Sequence, residues 1–188
     1  MPVQAHLTDE LRASLTATVR ARIRDVPEFP KPGILFRDIT PVLADAAALT
    51  AALDLHIDRI ADLVGKVDKV VGIESRGFLF GMAVAARIGA GFVVVRKPGK
   101  LPARVVEASY ALEYGTDRLQ IHADAITAGE RVLIVDDLLA TGGTAAAACQ
   151  LVGSLDGEVV AALFLIELCA LEGRGRLPGL RVEAVIGY

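Results

Sequence analysis

Val132-Leu133-Ile134-Val135-Asp136-Asp137-Leu138-Leu139-Ala140-Thr141-Gly142-Gly143-Thr144 runs from an apolar stretch through two carboxylates into a small, hydroxylated, glycine-bearing turn. Four consecutive branched aliphatics predict a strand buried on both faces, the environment of a parallel sheet covered by helices. The alanine-rich stretch from Thr144 to Leu151 favours helix, so Ala140 to Thr144 fall at a helix N-terminus. Unpaired backbone N–H groups and the helix dipole attract an anion at such a place. Gly142 and Gly143 let the backbone approach closely, and Thr141 and Thr144 add hydroxyl donors. No lysine follows, so the G-x-x-x-x-G-K-[ST] loop of nucleoside triphosphatases is absent and the fitting anion is one terminal phosphate.

Asp136 and Asp137 repel each other and are costly to desolvate at the carboxyl end of a buried strand, so they need donors or a cation. A ribose ring carrying that phosphate presents two vicinal hydroxyls, and hydroxyl-to-carboxylate hydrogen bonds are short and charge-assisted. The bland alternative is a solvated acidic loop, which the adjoining Thr-Gly-Gly-Thr turn disfavours.

Outward from this stretch the chain alternates. Strands are expected at Val70 to Ile73, Phe92 to Val95, Val132 to Val135 and Val159 to Ile166, with helices near Phe78 to Ile88 and Thr144 to Leu151 between them. Alternation of this kind implies parallel strands joined by right-handed crossovers. The excursion from Arg96 to Gly129 interrupts it, and Leu112-Glu113-Tyr114 with Arg118-Leu119-Gln120-Ile121 reads as an antiparallel pair attached to the sheet. Upstream, Thr8 caps an amphipathic helix with Leu11, Leu15, Val19 and Ile23 on one face. The prolines from Pro27 to Pro32 end it, Ile34 to Phe36 suit a short strand, and Asp45 opens a second helix reaching about Leu63. Ligands of open α/β sheets sit beyond the carboxyl ends of the strands. Glu74, Arg96 and Asp136 each follow a predicted strand, so residues distant in sequence are expected to meet in one crevice.

A chain of 188 residues suits one domain over 1–188. The net charge of −3 and the lack of a Lys/Arg block disfavour nucleic acid as a partner. Charges break up the 53% hydrophobic content, so neither a membrane span nor a signal peptide is expected, and the chain reads as cytoplasmic. Cys149 and Cys169 lack metal spacing and read as small buried hydrophobes, while His6, His56 and His122 form no triad or metal set.

Four stretches carry a resemblance that spans nearly the whole chain. They are Phe29 to Ile39 (FPKPGILFRDI), Glu74-Ser75-Arg76-Gly77-Phe78, Arg96-Lys97-Pro98-Gly99-Lys100-Leu101-Pro102 running on to Ser109-Tyr110-Ala111-Leu112-Glu113-Tyr114-Gly115, and the opening segment. Together they resemble the type I phosphoribosyltransferases, and Asp137 to Thr144 (DLLATGGT) is similar to the adenine-using branch of that family. The fold so implied is α/β, a mostly parallel open sheet flanked by helices, with a small N-terminal hood and a mobile loop. The hood would occupy about 1–45 and the core sheet about 68–188.

The resemblance adds roles to residues that elementary chemistry leaves open. Ser75-Arg76-Gly77 lies between strand and helix, so its amides and guanidinium suit pyrophosphate, with Gly77 permitting an unusual backbone conformation; in the family this position is the pyrophosphate loop. Arg96, Lys97 and Lys100, among Pro98, Gly99 and Pro102, have the composition of a solvated mobile loop. The resemblance makes it a lid whose cations meet pyrophosphate. Glu113 alone reads as solvent-facing and Tyr114 as packed on a strand; the resemblance implies a proton donor to a purine ring nitrogen and a closing-loop tyrosine. Leu35, Phe36 and Arg37 offer an aromatic ring and backbone amides to a flat heterocycle. The family implies adenine held between Phe36 and Leu168, its exocyclic amine read by the backbone around Leu35 and Arg37.

The expected reaction joins adenine to 5-phosphoribosyl 1-pyrophosphate, giving AMP and pyrophosphate. Magnesium would ride chiefly on the substrate's oxygens and water rather than in a protein cage. The resemblance also implies a homodimer. Rival readings are a non-catalytic purine or phosphoribosyl pyrophosphate sensor and a phosphoribosyltransferase for another purine. A phosphoacceptor signalling domain is a further rival, in which paired aspartates would come near the start of the fold rather than its last quarter.

Overall fold

The computed structural model describes residues 6–112 and 115–188. Its centre is a parallel sheet of five strands: β3 (Lys69–Ile73), β4 (Gly91–Val95), β7 (Arg131–Leu139), β8 (Glu158–Glu167) and β9 (Val182–Gly187), in the order β4-β3-β7-β8-β9. Helices α1 (Asp9–Arg20), α3 (Ala46–Arg59) and α4 (Gly77–Ile88) cover one face, and α5 (Gly143–Gly153) covers the other. Alternating residues feed the two layers. Val70, Leu133 and Leu163 enter the first core, whereas Val71, Ile134 and Phe164 enter the second. This two-sided burial explains why the strands read as unbroken apolar runs.

The short elements complete the frame. β1 (Arg24–Pro27) and β2 (Leu35–Asp38) pair antiparallel as a two-stranded hood, and α2 (Thr40–Ala44) follows it. Thr8 caps α1 by accepting from the Leu11 amide at 3.3 Å. Asp45 caps α3 by accepting from the Ala47 and Ala48 amides at 3.0 and 3.1 Å. Both caps match the expected side-chain chemistry.

Several boundaries differ from expectation. α1 stops at Arg20, and residues 24–27 already pair as β1, which ends on the first of the prolines, Pro27. β7 continues past Val135 to Leu139, because Asp136 and Leu138 keep pairing with Phe164 and Ile166 of β8. The strand β9 was not anticipated; Glu183 interrupts its apolar pattern, as suits an edge strand. The excursion forms a hairpin of β5 (Val105–Leu112) and β6 (Gly115–His122), longer than expected. Arg118 to Ile121 pair with Val106 to Ser109 rather than with residues 112–114. Its Ala108, Leu119 and Ile121 are buried against Val93, Val95 and Ile73, so the hairpin roofs the part of the sheet that α5 leaves uncovered. A single antiparallel bridge between Arg96 and Gln120 ties it to the end of β4.

Cys149 is half-buried on α5, and burial pushes its thiol up to about 11. Cys169 is exposed, contrary to expectation, because it sits in the short turn Cys169–Leu171 beyond the end of β8 rather than within the strand.

Candidate active site

The carboxyl ends of β3, β4 and β7 open onto one cavity of about 500 Å³. Glu74, Ser75 and Arg76 line it from β3, Lys97 from just beyond β4, and Asp136 to Ala145 from β7 and the start of α5. Phe36 of the hood, Tyr110 and Leu119 of the hairpin and Phe164 of β8 supply its remaining walls. Of the residues expected at the site, Ser75, Arg76, Lys97, Phe36, Asp136, Asp137 and Ala140 to Thr144 therefore meet, as the crevice rule requires. Gly77, Arg96, Lys100, Leu35, Arg37 and Leu168 do not line this cavity. Glu113 and Tyr114 lie outside the described residues.

The turn at residues 140–142 depends on two glycines in backbone contact. Gly142 holds φ +81°, and a Cβ there would stand 2.3 Å from the Gly173 carbonyl oxygen. A Cβ on Gly173 would stand 2.2 Å from the Ala140 carbonyl oxygen. The turn Gly173–Arg176 thus buttresses the loop at residues 140–142 through close backbone approach, a role that nothing local to Gly173 announces. α5 starts at Gly143, so its free N–H groups face the cavity that Thr141 and Thr144 also line.

Burial first, and the Asp137 charge second, raise the Asp136 carboxyl well above its ordinary value. Asp137, 6% exposed, is also raised by burial, against the pull of Arg76. The Asp137 amide donates to Asp136 Oδ1 at 2.8 Å. Arg76 Nε stands 2.9 Å from Asp137 Oδ2, near enough to pair electrostatically but not aligned as a hydrogen bond. Among the described residues that buried oxygen has no hydrogen-bond donor. A hydroxyl-bearing ligand would supply Asp137 Oδ2 with the donor it lacks among the described residues.

Gly77 plays a part other than the one expected. It is the first residue of α4, with no left-handed backbone; a Cβ there would stand 2.5 Å from Asp136 Oδ1 and 3.1 Å from the Val135 carbonyl oxygen. Its bare Cα makes room for the carboxylate. The Glu74–Ser75 peptide just before it is cis.

Arg96 and Lys97 are already partnered. Arg96 donates to both Glu74 oxygens at 3.1 and 3.2 Å, and the Lys97 amide donates to Glu74 Oε2 at 2.9 Å. Burial works against the Glu74 charge, but Arg96 and that amide outweigh it and lower its pKa. Lys97 Nζ pairs with Asp117 and donates to Tyr110 Oη at 3.1 Å. Burial opposes the ammonium too, yet Asp117 and Tyr110 raise its pKa. Tyr110 and Asp117 were not expected here. They lie on facing hairpin strands in register, a tertiary fact with no local signal. Phe36 packs edge-on against Phe29 at 5.1 Å, with the Arg76 guanidinium 5.1 Å above its ring.

Comparison with known proteins identifies the family to which this fold belongs. Residues 39–176 match the phosphoribosyl transferase domain. The chain is 56% identical to an adenine phosphoribosyltransferase of Methylococcus capsulatus over 171 residues, covering 90% of this chain and 98% of the relative. The crystal structure of adenine phosphoribosyltransferase from Thermoanaerobacter pseudethanolicus superposes with a TM-score of 0.88 at 50% identity, covering 92% of this chain and 99% of that one. The Saccharomyces cerevisiae enzyme, solved with an imino-altritol bisphosphate and adenine, superposes with a TM-score of 0.88 at 40% identity, covering 93% and 99%. The chain belongs to the adenine phosphoribosyltransferases of the phosphoribosyl transferase domain family.

Proposed function

We propose that this protein is an adenine phosphoribosyltransferase: N9 of adenine forms a bond to C1′ of 5-phosphoribosyl 1-pyrophosphate as the C1′–oxygen bond breaks. Pyrophosphate leaves with that electron pair, and AMP is the product. The observation that carries this reading is the placing of a paired-aspartate strand end, a glycine-bearing helix N-terminus, Arg76 and Lys97 around one cavity. Positive charge accumulates on the sugar as the leaving group departs, so the work is positioning and electrostatics rather than nucleophilic attack by the protein.

In this scheme Ala140, Thr141, Gly142, Gly143 and Thr144 anchor the 5′-phosphate, and Asp136 and Asp137 accept hydrogen bonds from the ribose hydroxyls. Ser75 and Arg76 meet pyrophosphate, with Lys97 leaving Asp117 to join them and Arg96 and Lys100 at the rim. Phe36 and Leu168 hold the base, the backbone of Leu35 and Arg37 reads its amine, and Glu113 serves a ring nitrogen beside Tyr114. The donor set suits magnesium delivered with the substrate: Asp137 Oδ2, buried without a donor, fits a water of a hydrated cation as well as it fits a hydroxyl. Bound, that ion would neutralise pyrophosphate charge.

Residues 1–188 are proposed to act as one unit, in the cytoplasm, as a homodimer. The exposure of Leu79 (50%) and Met82 (62%) on α4 supports a covered face there. No helix among the described residues is long and apolar enough to cross a membrane. The test of function is AMP formation from adenine and phosphoribosyl pyrophosphate, with hypoxanthine and guanine as competitors. Adenine should dominate, and equal use of hypoxanthine would overturn the base assignment.

A further inference from the structure

Tyr188 follows β9, and its backbone extends the sheet ladder onto the segment after β8. Its amide donates to the Glu167 carbonyl at 2.9 Å, and its carbonyl accepts from the Cys169 amide at 2.8 Å. Leu168 lies between those two anchored residues. Glu167 is itself fixed, since Arg174 donates to both its carboxylate oxygens at 2.7 Å. The Tyr188 ring is half-buried against the first core. Two guanidinium groups lie over it, Arg37 at 3.9 Å and Arg20 of α1 at 4.8 Å from the ring centre. Both distances are inside the roughly 6 Å over which a cation and an aromatic face attract.

Arg37 is the neighbour of Phe36 on β2, and Phe36 lines the cavity. The hood is a separate two-stranded sheet with no ladder to the central one among the described residues. A two-stranded ribbon is marginal alone, so side-chain contacts must set where the hood stands relative to the core. Arg37 on Tyr188 is such a contact, and it joins the Phe36 strand to the Leu168 segment through one residue.

We infer that Tyr188 is a positioning residue for the base, spacing the Phe36 and Leu168 walls of the adenine slot by tying β2 to the end of β8. This rests on the proposed adenine phosphoribosyltransferase reading. The ring does not line the sugar-phosphate cavity, so its loss should act on one substrate. Tyr188→Leu keeps apolar bulk and the backbone ladder but removes the aromatic face; Tyr188→Phe keeps that face.

The experiment is steady-state kinetics of AMP formation by wild type, Tyr188→Leu and Tyr188→Phe, each substrate varied in turn. Tyr188→Leu should raise KM for adenine roughly tenfold, with KM for phosphoribosyl pyrophosphate and kcat within about twofold, and Tyr188→Phe should restore wild-type values. Equal rises in both KM values, a loss confined to kcat, no change, or Phe behaving like Leu would each overturn the inference. If Tyr188→Leu does not fold, Arg37→Met removes the contact from the other side together with the Arg37–Asp25 pair, so Asp25→Asn is assayed beside it; an adenine-selective rise with Arg37→Met but not with Asp25→Asn supports the inference, and no rise or an equal rise in both overturns it. Absence of AMP formation by wild type would instead remove the underlying reading.

Discussion

Asp136 and Asp137 place two carboxylates where burial opposes charge on both, and Asp136 is raised the further above the ordinary range. A carboxyl whose folded pKa is raised stabilises the fold below its unfolded pKa, and that stability is lost as pH rises through the folded value. Asp136→Asn mimics the protonated form. The variant should therefore melt higher than wild type at pH 7.5, the gap closing as pH falls toward about 4, in calorimetry across a pH series. The same variant loses a charged acceptor for a substrate hydroxyl, so kcat/KM should fall about ten- to hundredfold. A variant that loses activity without gaining stability would refute the account of the dyad. His56 has the opposite sign. It is fully buried, its Nδ1 donates to the Ala52 carbonyl at 2.7 Å, and its Nε2 has no partner among the described residues. Burial lowers its pKa from 6.5 to about 4. The unfolded chain then binds the extra proton first, so stability is full above about pH 7 and drains as pH falls from 6.5 toward 4, by roughly 3 kcal/mol in all. His56→Phe, which can keep the stack on Phe80, should flatten that acid slope in urea titrations at pH 7 and pH 5.

The elements around the loop at residues 140–142 meet through close backbone approach. The turn Gly173–Arg176 presses its first carbonyl to within 2.3 Å of where a Gly142 side chain would begin, and Gly173 itself leaves no space beside the Ala140 carbonyl. A methyl at Gly173 must therefore displace the loop that carries Thr141. Gly173→Ala should raise KM for phosphoribosyl pyrophosphate at least about tenfold while KM for adenine changes less, since an offset near 1 Å in a positioned group costs that much or more. Steady-state kinetics with each substrate varied would decide it, and a selective effect on adenine would contradict the buttress. Much of this neighbourhood was legible beforehand. Val132 to Val135 announced a strand buried on both faces, and the alanine-rich stretch after the Thr-Gly-Gly turn announced a helix starting there, because those signals are local. The buttress was not legible, since Gly173 lies in an Arg- and Gly-rich stretch whose contact with residue 140 exists only after β8 and β9 have paired. Gly77 was expected at the site for freedom of φ, whereas it does not line the cavity and its need is space for Asp136.

At the scale of the molecule, the hairpin is both half of a core and a wall of the site, and this double duty explains what the chain concealed. Alternating periodicity revealed the central sheet, whereas residues 105–111 hid a strand among mixed polar and small side chains whose burial depends on the sheet beneath. Tyr110 and Asp117 become site residues only because strand pairing sets them side by side facing Lys97. Leu119 sits where the two duties meet: it is fully buried in the second core and also lines the cavity. Its neighbours across the interface include Val93 and Val95 of β4, the strand that leads into Arg96 and Lys97. Leu119→Ala leaves a void at that contact and should cost about 2–5 kcal/mol of unfolding free energy, read as a lower urea midpoint at unchanged slope. The loss should not be confined to global stability. With Leu119 cut back, the hairpin keeps Ala108 and Ile121 in the core, the Arg96–Gln120 bridge and the Lys97 pairings but loses part of its apolar hold, so its amides should exchange faster than those of β3 and β7. KM for phosphoribosyl pyrophosphate should rise with that exchange, because Lys97 is then held by a wall that moves. Uniform acceleration of exchange across the central strands, with KM unchanged, would mean that the hairpin is core alone and contributes nothing to holding the pyrophosphate.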